Sequence, residues 1–207
     1  QLSNAERYWR WCVFSTAEDA LRLIDSKQAV SATEMQQRKQ SVLQYVSDNG
    51  GLNDVLFADT QMVLPNDMLT KVDMMSMANS LEVRVPLLDY TVVNFAFSLP
   101  EQFKIEPGNG KRILKDAFRA DLPDELFNRP KHGFEVPLLK WMRTGLKSMI
   151  TDDLLSDNFV REQGIFNLSE VQALKSQLFS SNPGDIHARI WGLMVFQYWY
   201  KKYFREQ

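Results

Sequence analysis

Leu81-Glu82-Val83-Arg84-Val85-Pro86 is the one stretch of this sequence in which apolar and charged residues alternate with a period of two, the pattern of an extended segment, and Pro86 ends it. On either side, apolar residues recur at helical spacing instead. The sequence therefore predicts an all-α fold: a helical array with at most one short extended segment. Glu82 and Arg84 sit two residues apart and project from one side of that segment. They are expected to form an ion pair, read as a buried structural link to neighbouring helices, so that losing one partner would cost about 3–5 kcal/mol.

Upstream of this stretch, Asn66 after Pro65 is placed to cap a helix from Asp67 to about Asn79, and Asn53 a shorter one through Phe57 and Ala58. Ser15-Thr16-Ala17-Glu18 and Ser31-Ala32-Thr33-Glu34 read as capping boxes. The first opens a helix to about Ile24. The second opens one that shows Met35, Val42, Leu43 and Val46 on one side and stops at Asn49-Gly50-Gly51, where glycine can turn left-handed. Glu6 to Phe14 is an aromatic-rich helix. Downstream, Asp89 to Leu99 reads as a buried helix closed by Pro100, Glu106 to Gly110 as a turn, and Lys111 to Ala120 as an amphipathic helix. After a loop at Asn128 to Gly133, helices are predicted over Pro137 to Ile150, Glu170 to Phe179 and Ile186 to Phe204, the last two separated by Ser181-Asn182-Pro183-Gly184.

Composition narrows the function classes. With 44% hydrophobic and 24% charged residues the chain is a globular sequence, and its 207 residues suit one domain or a large piece of one. A formal net charge of -2 offers no general attraction to nucleic acid or anionic lipid, and no apolar run is long enough to cross a bilayer. Cys12 is the only cysteine, so no internal disulfide forms and a reducing, cytoplasmic setting is expected. The first residues carry neither an initiator methionine nor a secretory signal, as in a piece of a longer chain. The two histidines, His132 and His187, have no second ligand at useful spacing, and no metal site is expected.

Three stretches place charges among apolar residues where a generic helical protein needs none: Leu64 to Asp73 (LPNDMLTKVD), Met77 to Asp89 (MANSLEVRVPLLD) and Arg129 to Pro137 (RPKHGFEVP). In this order and spacing they resemble the C-terminal half of the synthetase domain of glutamine-dependent asparagine synthetases. Gly110-Lys111 resembles that family's Gly-Lys turn at a helix start. Arg7-Tyr8-Trp9-Arg10-Trp11 and Trp191 to Trp199 are similar to its flanking segments. One departure is Met74-Met75, where many relatives carry a basic residue after the aspartate.

The resemblance implies the C-terminal part of an α/β ATP-pyrophosphatase-type synthetase domain. In such an enzyme aspartate attacks the α-phosphate of ATP, with Mg²⁺ present, to give β-aspartyl-AMP and pyrophosphate; ammonia released from glutamine in a separate N-terminal domain then displaces AMP. Cys12 is not the cysteine that releases it. The implied catalytic residue is Lys131, whose ammonium is a compact charge suited to the α-phosphate and the departing pyrophosphate. Glu82, Arg84, Lys111, Arg129 and Gly133 are the further candidates for the substrate or nucleotide site. Asn49-Gly50-Gly51-Leu52-Asn53-Asp54 imitates the family's Ser-Gly-Gly-x-Asp-Ser pyrophosphate loop but lacks its serine and aspartate. Without that loop the chain is expected to be the helical layer over the sheet, completed by a missing N-terminal part of the same protein. Alone it is expected to bind neither ATP nor Mg²⁺, to be inactive, and to expose an apolar face that drives self-association. Two alternatives stay open on these residues: a related amidotransferase or amide synthetase acting on another carboxylate, and a helical interaction module without chemistry.

Overall fold

A computed structural model describes residues 2–28, 31–128, 133 and 136–205. Its α-helices are α1 (Asn4–Cys12), α2 (Ala17–Leu23), α3 (Ala32–Leu43), α4 (Leu52–Gln61), α5 (Thr70–Met77), α6 (Tyr90–Ser98), α7 (Arg112–Ala117), α8 (Glu125–Asn128), α9 (Leu138–Arg143), α10 (Asp157–Gln163), α11 (Leu168–Phe179) and α12 (Ile186–Tyr200). Among the described residues the only sheet is an antiparallel pair, β1 (Ile105–Glu106) with β2 (Asn109–Gly110). The fold is thus the helical array that the apolar periodicity predicts. The chain divides into two compact units, residues 1–12 with 36–132, and residues 13–35 with 133–207.

In the first unit a small core gathers Tyr8 of α1, Leu43 and Val46 at the end of α3, and Ala58 of α4. Lys39 bonds Glu6 at 2.7 Å while its ammonium lies 5.9 Å from the Trp9 ring centre, so α3 is tied to α1 by a charge as well as by packing. The capping serine at Ser31 holds, its Oγ accepting from the Glu34 amide at 3.2 Å.

Three local expectations change here. α3 ends at Leu43, and neither Gly50 nor Gly51 has a positive φ. The glycines are there for room: a Cβ on Gly50 would collide with the Asp54 carboxylate and one on Gly51 with that of Glu101. Gly51, not Asn53, is the N-cap of α4, and Asn53 spends its side chain on Phe97 O and Lys104. Asn66 lies inside a wide π-helical turn, Leu64–Leu69, that runs directly into α5; its side chain donates to Met62 O at 2.7 Å.

The segment Leu81 to Val85 forms no strand pairing, and the extended ladder lies at β1 and β2 instead. There Pro107 and Gly108, the latter at φ +78°, supply the two residues of a tight reversal. α6 forms where expected, capped by Asp89 accepting from the Thr91 amide at 2.9 Å, but it is exposed rather than buried: Phe95 keeps 60% of its surface. Helical periodicity and apolar content report that a helix has an inner face; they cannot say whether the chain at hand supplies what covers it.

The second unit holds the larger core: Met142, Ile150, Leu154, Leu155, Val160, Phe166, Val171, Leu178, Ile186, Ile190, Leu193 and Met194. On α12 the buried residues Ile186, Ile190, Leu193, Met194 and Gln197 follow one face at helical spacing. α2 is stitched on by Asp25 N to Ile165 O and Asn167 N to Leu23 O, both at 2.8 Å. Its cap is Thr16, which accepts from Asp19 N at 3.1 Å, one residue later than the box predicted at Ser15. The helix expected from Pro137 to Ile150 breaks after Arg143, at Thr144 and Gly145, and resumes as a π-helical turn, Met149–Leu154. α10 is an element the periodicity did not show. Its signals are local: Ser156 accepts from Phe159 N, Asp157 opens the first turn, and Gly164 at φ +65° ends it. Among the described residues no helix is long and apolar enough to cross a membrane.

Candidate functional site

The motif Met77 to Asp89 leaves α5 through a left-handed residue. Ser80 has φ +56°; Leu81 N donates to Ser76 O and Ser80 N to Met77 O, each at 3.0 Å. That is the Schellman arrangement, built on serine where glycine is usual. It sets the direction of Leu81 to Val85, on which Glu82 and Arg84 form the expected ion pair. The pair is not buried: the side chains keep 66% and 86% of their surface, so the structural-link reading is corrected. An exposed pair of this kind contributes about 0–1 kcal/mol, far below the buried value, and both groups face outward and stay accessible to other molecules.

Lys111 is exposed and, at φ +59°, left-handed just before α7. Its neighbour Arg112, not singled out in the sequence, holds the corner: the guanidinium reaches Glu106 at 3.1 Å and Asp116 at 3.6 Å and donates to Gln102 O at 3.0 Å. With the hairpin held by Arg112, the Lys111 ammonium has no ion-pair partner among the described residues. Gly133 is described and exposed. Lys131 and Arg129, with the loop that carries them, lie outside the described residues. Lys71 meets Asp67, one helical turn back, at 3.9 Å.

The imitation pyrophosphate loop can be tested on its amides. Leu52 N is taken by the Glu101 carboxylate, Ser47 N by Asp54 Oδ2 at 3.2 Å, and Gly50 N by Ser47 O at 3.1 Å. Two amides of the loop, Gly50 and Leu52, are thus engaged, and the Asp54 and Glu101 carboxylates lie where a phosphate would sit. The described residues therefore do not by themselves form a phosphate cradle, and no group of three or more His, Cys, Asp or Glu among them could hold a metal ion.

The first unit also contains a groove of about 410 Å³ between α4, the π-helical turn, Pro86–Leu88 and α6, walled by Leu56, Val63, Leu88 and Phe97 and carrying two charges, Asp59 and Lys104. Tyr8, almost wholly buried, donates its hydroxyl to Asp59 Oδ1 at 2.9 Å. Burial, reinforced by Cys12 and Asp59 alongside, pushes the Tyr8 phenol far above its ordinary range, and burial raises the Cys12 thiol. Lys104 bonds Asn53, stands 5.3 Å from the Phe97 ring centre, and has its pKa lowered by burial. Neither Asp59 nor Lys104 stood out in the sequence, because what marks them is placement in an apolar wall.

The sequence profile described as asparagine synthase matches residues 1–201. "Asparagine synthetase [glutamine-hydrolyzing] 1" of Bacillus subtilis is 28% identical over 169 residues, 78% of this chain and 26% of the relative. A putative glutamine-hydrolysing asparagine synthetase of Mycobacterium bovis is 34% identical over 141 residues, 66% of this chain and 21% of the relative. No solved structure matches significantly. The chain thus spans about a quarter or less of the length of these relatives. Its three charged motifs and flanking aromatic segments fall inside the matched range, and the chain belongs to the asparagine synthase family.

Proposed function

We propose that this chain is the C-terminal part of the synthetase domain of a glutamine-hydrolysing asparagine synthetase working in the cytoplasm. The full protein activates aspartate with ATP and Mg²⁺ as β-aspartyl-AMP and amidates it with ammonia taken from glutamine. The carrying observation is the family match across residues 1–201 to relatives that are much longer. In this reading Lys131 places its ammonium over the phosphates, with Arg129, Gly133, Lys111, Glu82 and Arg84 around the same nucleotide or substrate. The accessible Glu82–Arg84 pair and the left-handed Lys111, which has no ion-pair partner among the described residues, support the part given to the first unit.

The rest of the protein supplies the sheet, the pyrophosphate loop and the glutaminase. The exposed apolar residues of α5 and α6, among them Met74, Met75 and Phe95, suit a helical layer whose partner lies elsewhere in that protein, and alone they would favour self-association. The test is Lys131→Ala in the full-length enzyme. Asparagine formation and aspartate-dependent pyrophosphate release should fall by about 10²–10³-fold, as when one donor to transition-state charge is removed, while the melting temperature stays put. Undiminished turnover would refute the role of Lys131. Pyrophosphate release from ATP and aspartate by the 207-residue chain alone would refute the reading of it as a part.

A further inference from the structure

Lys111 breaks two local rules at one position. It is left-handed, at φ +59° and ψ +37°, and it stands at the N-cap of α7 with no side-chain bond to the helix. Glycine or asparagine adopts that conformation at less cost, and Ser, Thr, Asp or Asn would cap the helix, which an ammonium cannot do because it has no acceptor. Such a residue persists only where its surroundings over-determine it, and here they do so on both sides. The Arg112 amide donates to Lys104 O at 3.0 Å, just beyond the β1–β2 pairs, and the Lys115 amide donates to Lys111 O at 3.0 Å, in the first turn of α7. The side chains repeat the clamp. Arg112 reaches Glu106 Oε2 at 3.1 Å, Lys115 Nζ donates to Asn109 Oδ1 at 2.8 Å, and Glu106 faces Asn109 in the hairpin register. Arg112 also holds Asp116, in its own helix, and Gln102 O, ahead of β1. Arg112 and Lys115 are thus spent on the scaffold, whereas the exposed Lys111 makes no ion pair among the described residues.

We propose that Arg112 is a positioning residue: its guanidinium locks the hairpin to α7, so that the strained Lys111 holds its ammonium ready for an anionic group of the bound nucleotide or of the carboxylate substrate. The inference rests on the proposed place of Lys111 in that site. The Arg112 ion pairs are half-exposed to solvent and contribute little to overall stability, so their main consequence is the direction of the corner. Arginine suits the task because three acceptors, on Glu106, Asp116 and Gln102, lie around one planar fork, where a lysine would act only as a point charge. The backbone cost of a left-handed lysine is then the cost of aiming one charge, which explains why neither glycine nor a capping residue stands there.

The experiment uses the full-length enzyme, titrated at equilibrium with MgATP and, separately, with aspartate. Lys111→Gly removes the ammonium and the strain together: affinity for one of these ligands should fall about tenfold or more, the loss of one bond to a charged group, while amide exchange of α7 slows. Slower exchange with both affinities unchanged overturns the proposal. Arg112→Ala should weaken the same ligand to a similar extent with Lys111 in place and leave it unchanged in the Lys111→Gly background. An equal loss in both backgrounds would make Arg112 a support of the fold or a ligand contact in its own right, and either result overturns the proposal. Arg112→Lys keeps the charge but not the fork and should lose most of the same affinity. Full affinity in that variant would mean that Arg112 supplies charge rather than position, and the proposal fails. Aspartate-dependent ATP–pyrophosphate exchange by the unaltered enzyme separates the two proposals: its absence with the coupling intact counts against the synthetase function and leaves the positioning role in place.

Discussion

Gln197→Met should stabilise the second unit. Gln197 is wholly buried on α12, in a core otherwise made of apolar side chains. Its Oε1 accepts from Gln163 Nε2 at 2.6 Å, but its own Nε2 and Gln163 Oε1 are buried with no partner among the described residues. Removing an unsatisfied buried donor relieves about 1–3 kcal/mol, whereas losing the single bond on substitution costs about 0.5–1.5 kcal/mol. Gln163 is only half-buried, so its freed amide can turn to water. Methionine is unbranched and adaptable enough to fill the vacated volume. The net expectation is a gain of about 1 kcal/mol, or roughly 4–8 °C in the melting of a unit of this size. Amide hydrogen exchange on α10 and α12 reads the second unit separately from the first and should slow about fivefold. Gln197→Ala is the control: it removes the same orphan but opens a cavity, and should destabilise by about 2–4 kcal/mol. If Gln197→Met itself speeds exchange and lowers melting by several degrees, the amides are satisfied in solution and the reasoning fails.

Three further outcomes follow from local geometry. Ser80→Gly relieves a left-handed serine and should stabilise the first unit by about 0.5–1 kcal/mol in urea denaturation; a loss would mean that the serine side chain has a role of its own. Gly51→Ala pushes a Cβ into the Glu101 carboxylate, which then releases the Leu52 amide at the start of α4, at a cost of about 1 kcal/mol by the same measurement. The Asp157 carboxyl is held below its ordinary range first by its bond from Lys175 and then by Gln172. Its depressed folded pKa means that its contribution is complete above the unfolded value of 3.8 and is lost as pH falls through the lower folded value. Asp157→Asn should therefore lower the melting temperature at pH 6 and make little difference at about pH 2; an equal deficit at both would refute the linkage.

What the residues announced on their own was mostly local. α12 was legible because Ile186, Ile190, Leu193 and Met194 repeat at helical spacing, and α11 because its apolar positions do the same. Caps were legible to within a residue: Ser31 acted as predicted and Thr16 replaced Ser15, since neighbouring hydroxyls compete for one role and only the entry angle of the chain chooses between them. Glycine was ambiguous for a similar reason. Gly50 and Gly51 suit a left-handed cap or a close contact equally well, and the contact at Gly51 is made by Glu101, about fifty residues away. The Glu82–Arg84 pairing was predictable from an i, i+2 spacing, but its exposure was not.

The sequence by itself determined the helical class, most of the helices and the family, because periodicity, capping chemistry and ordered motifs are properties of residues close together in the chain. Only the tertiary structure decided that α6 lies open, that Leu81 to Val85 forms no strand pairing among the described residues, that Gln197 is buried beside Gln163, and that Asp59 and Lys104 share one groove. Those are statements about burial and proximity between residues distant in sequence. Such contacts depend on which surfaces the chain can bury against itself, and no local pattern contains that information.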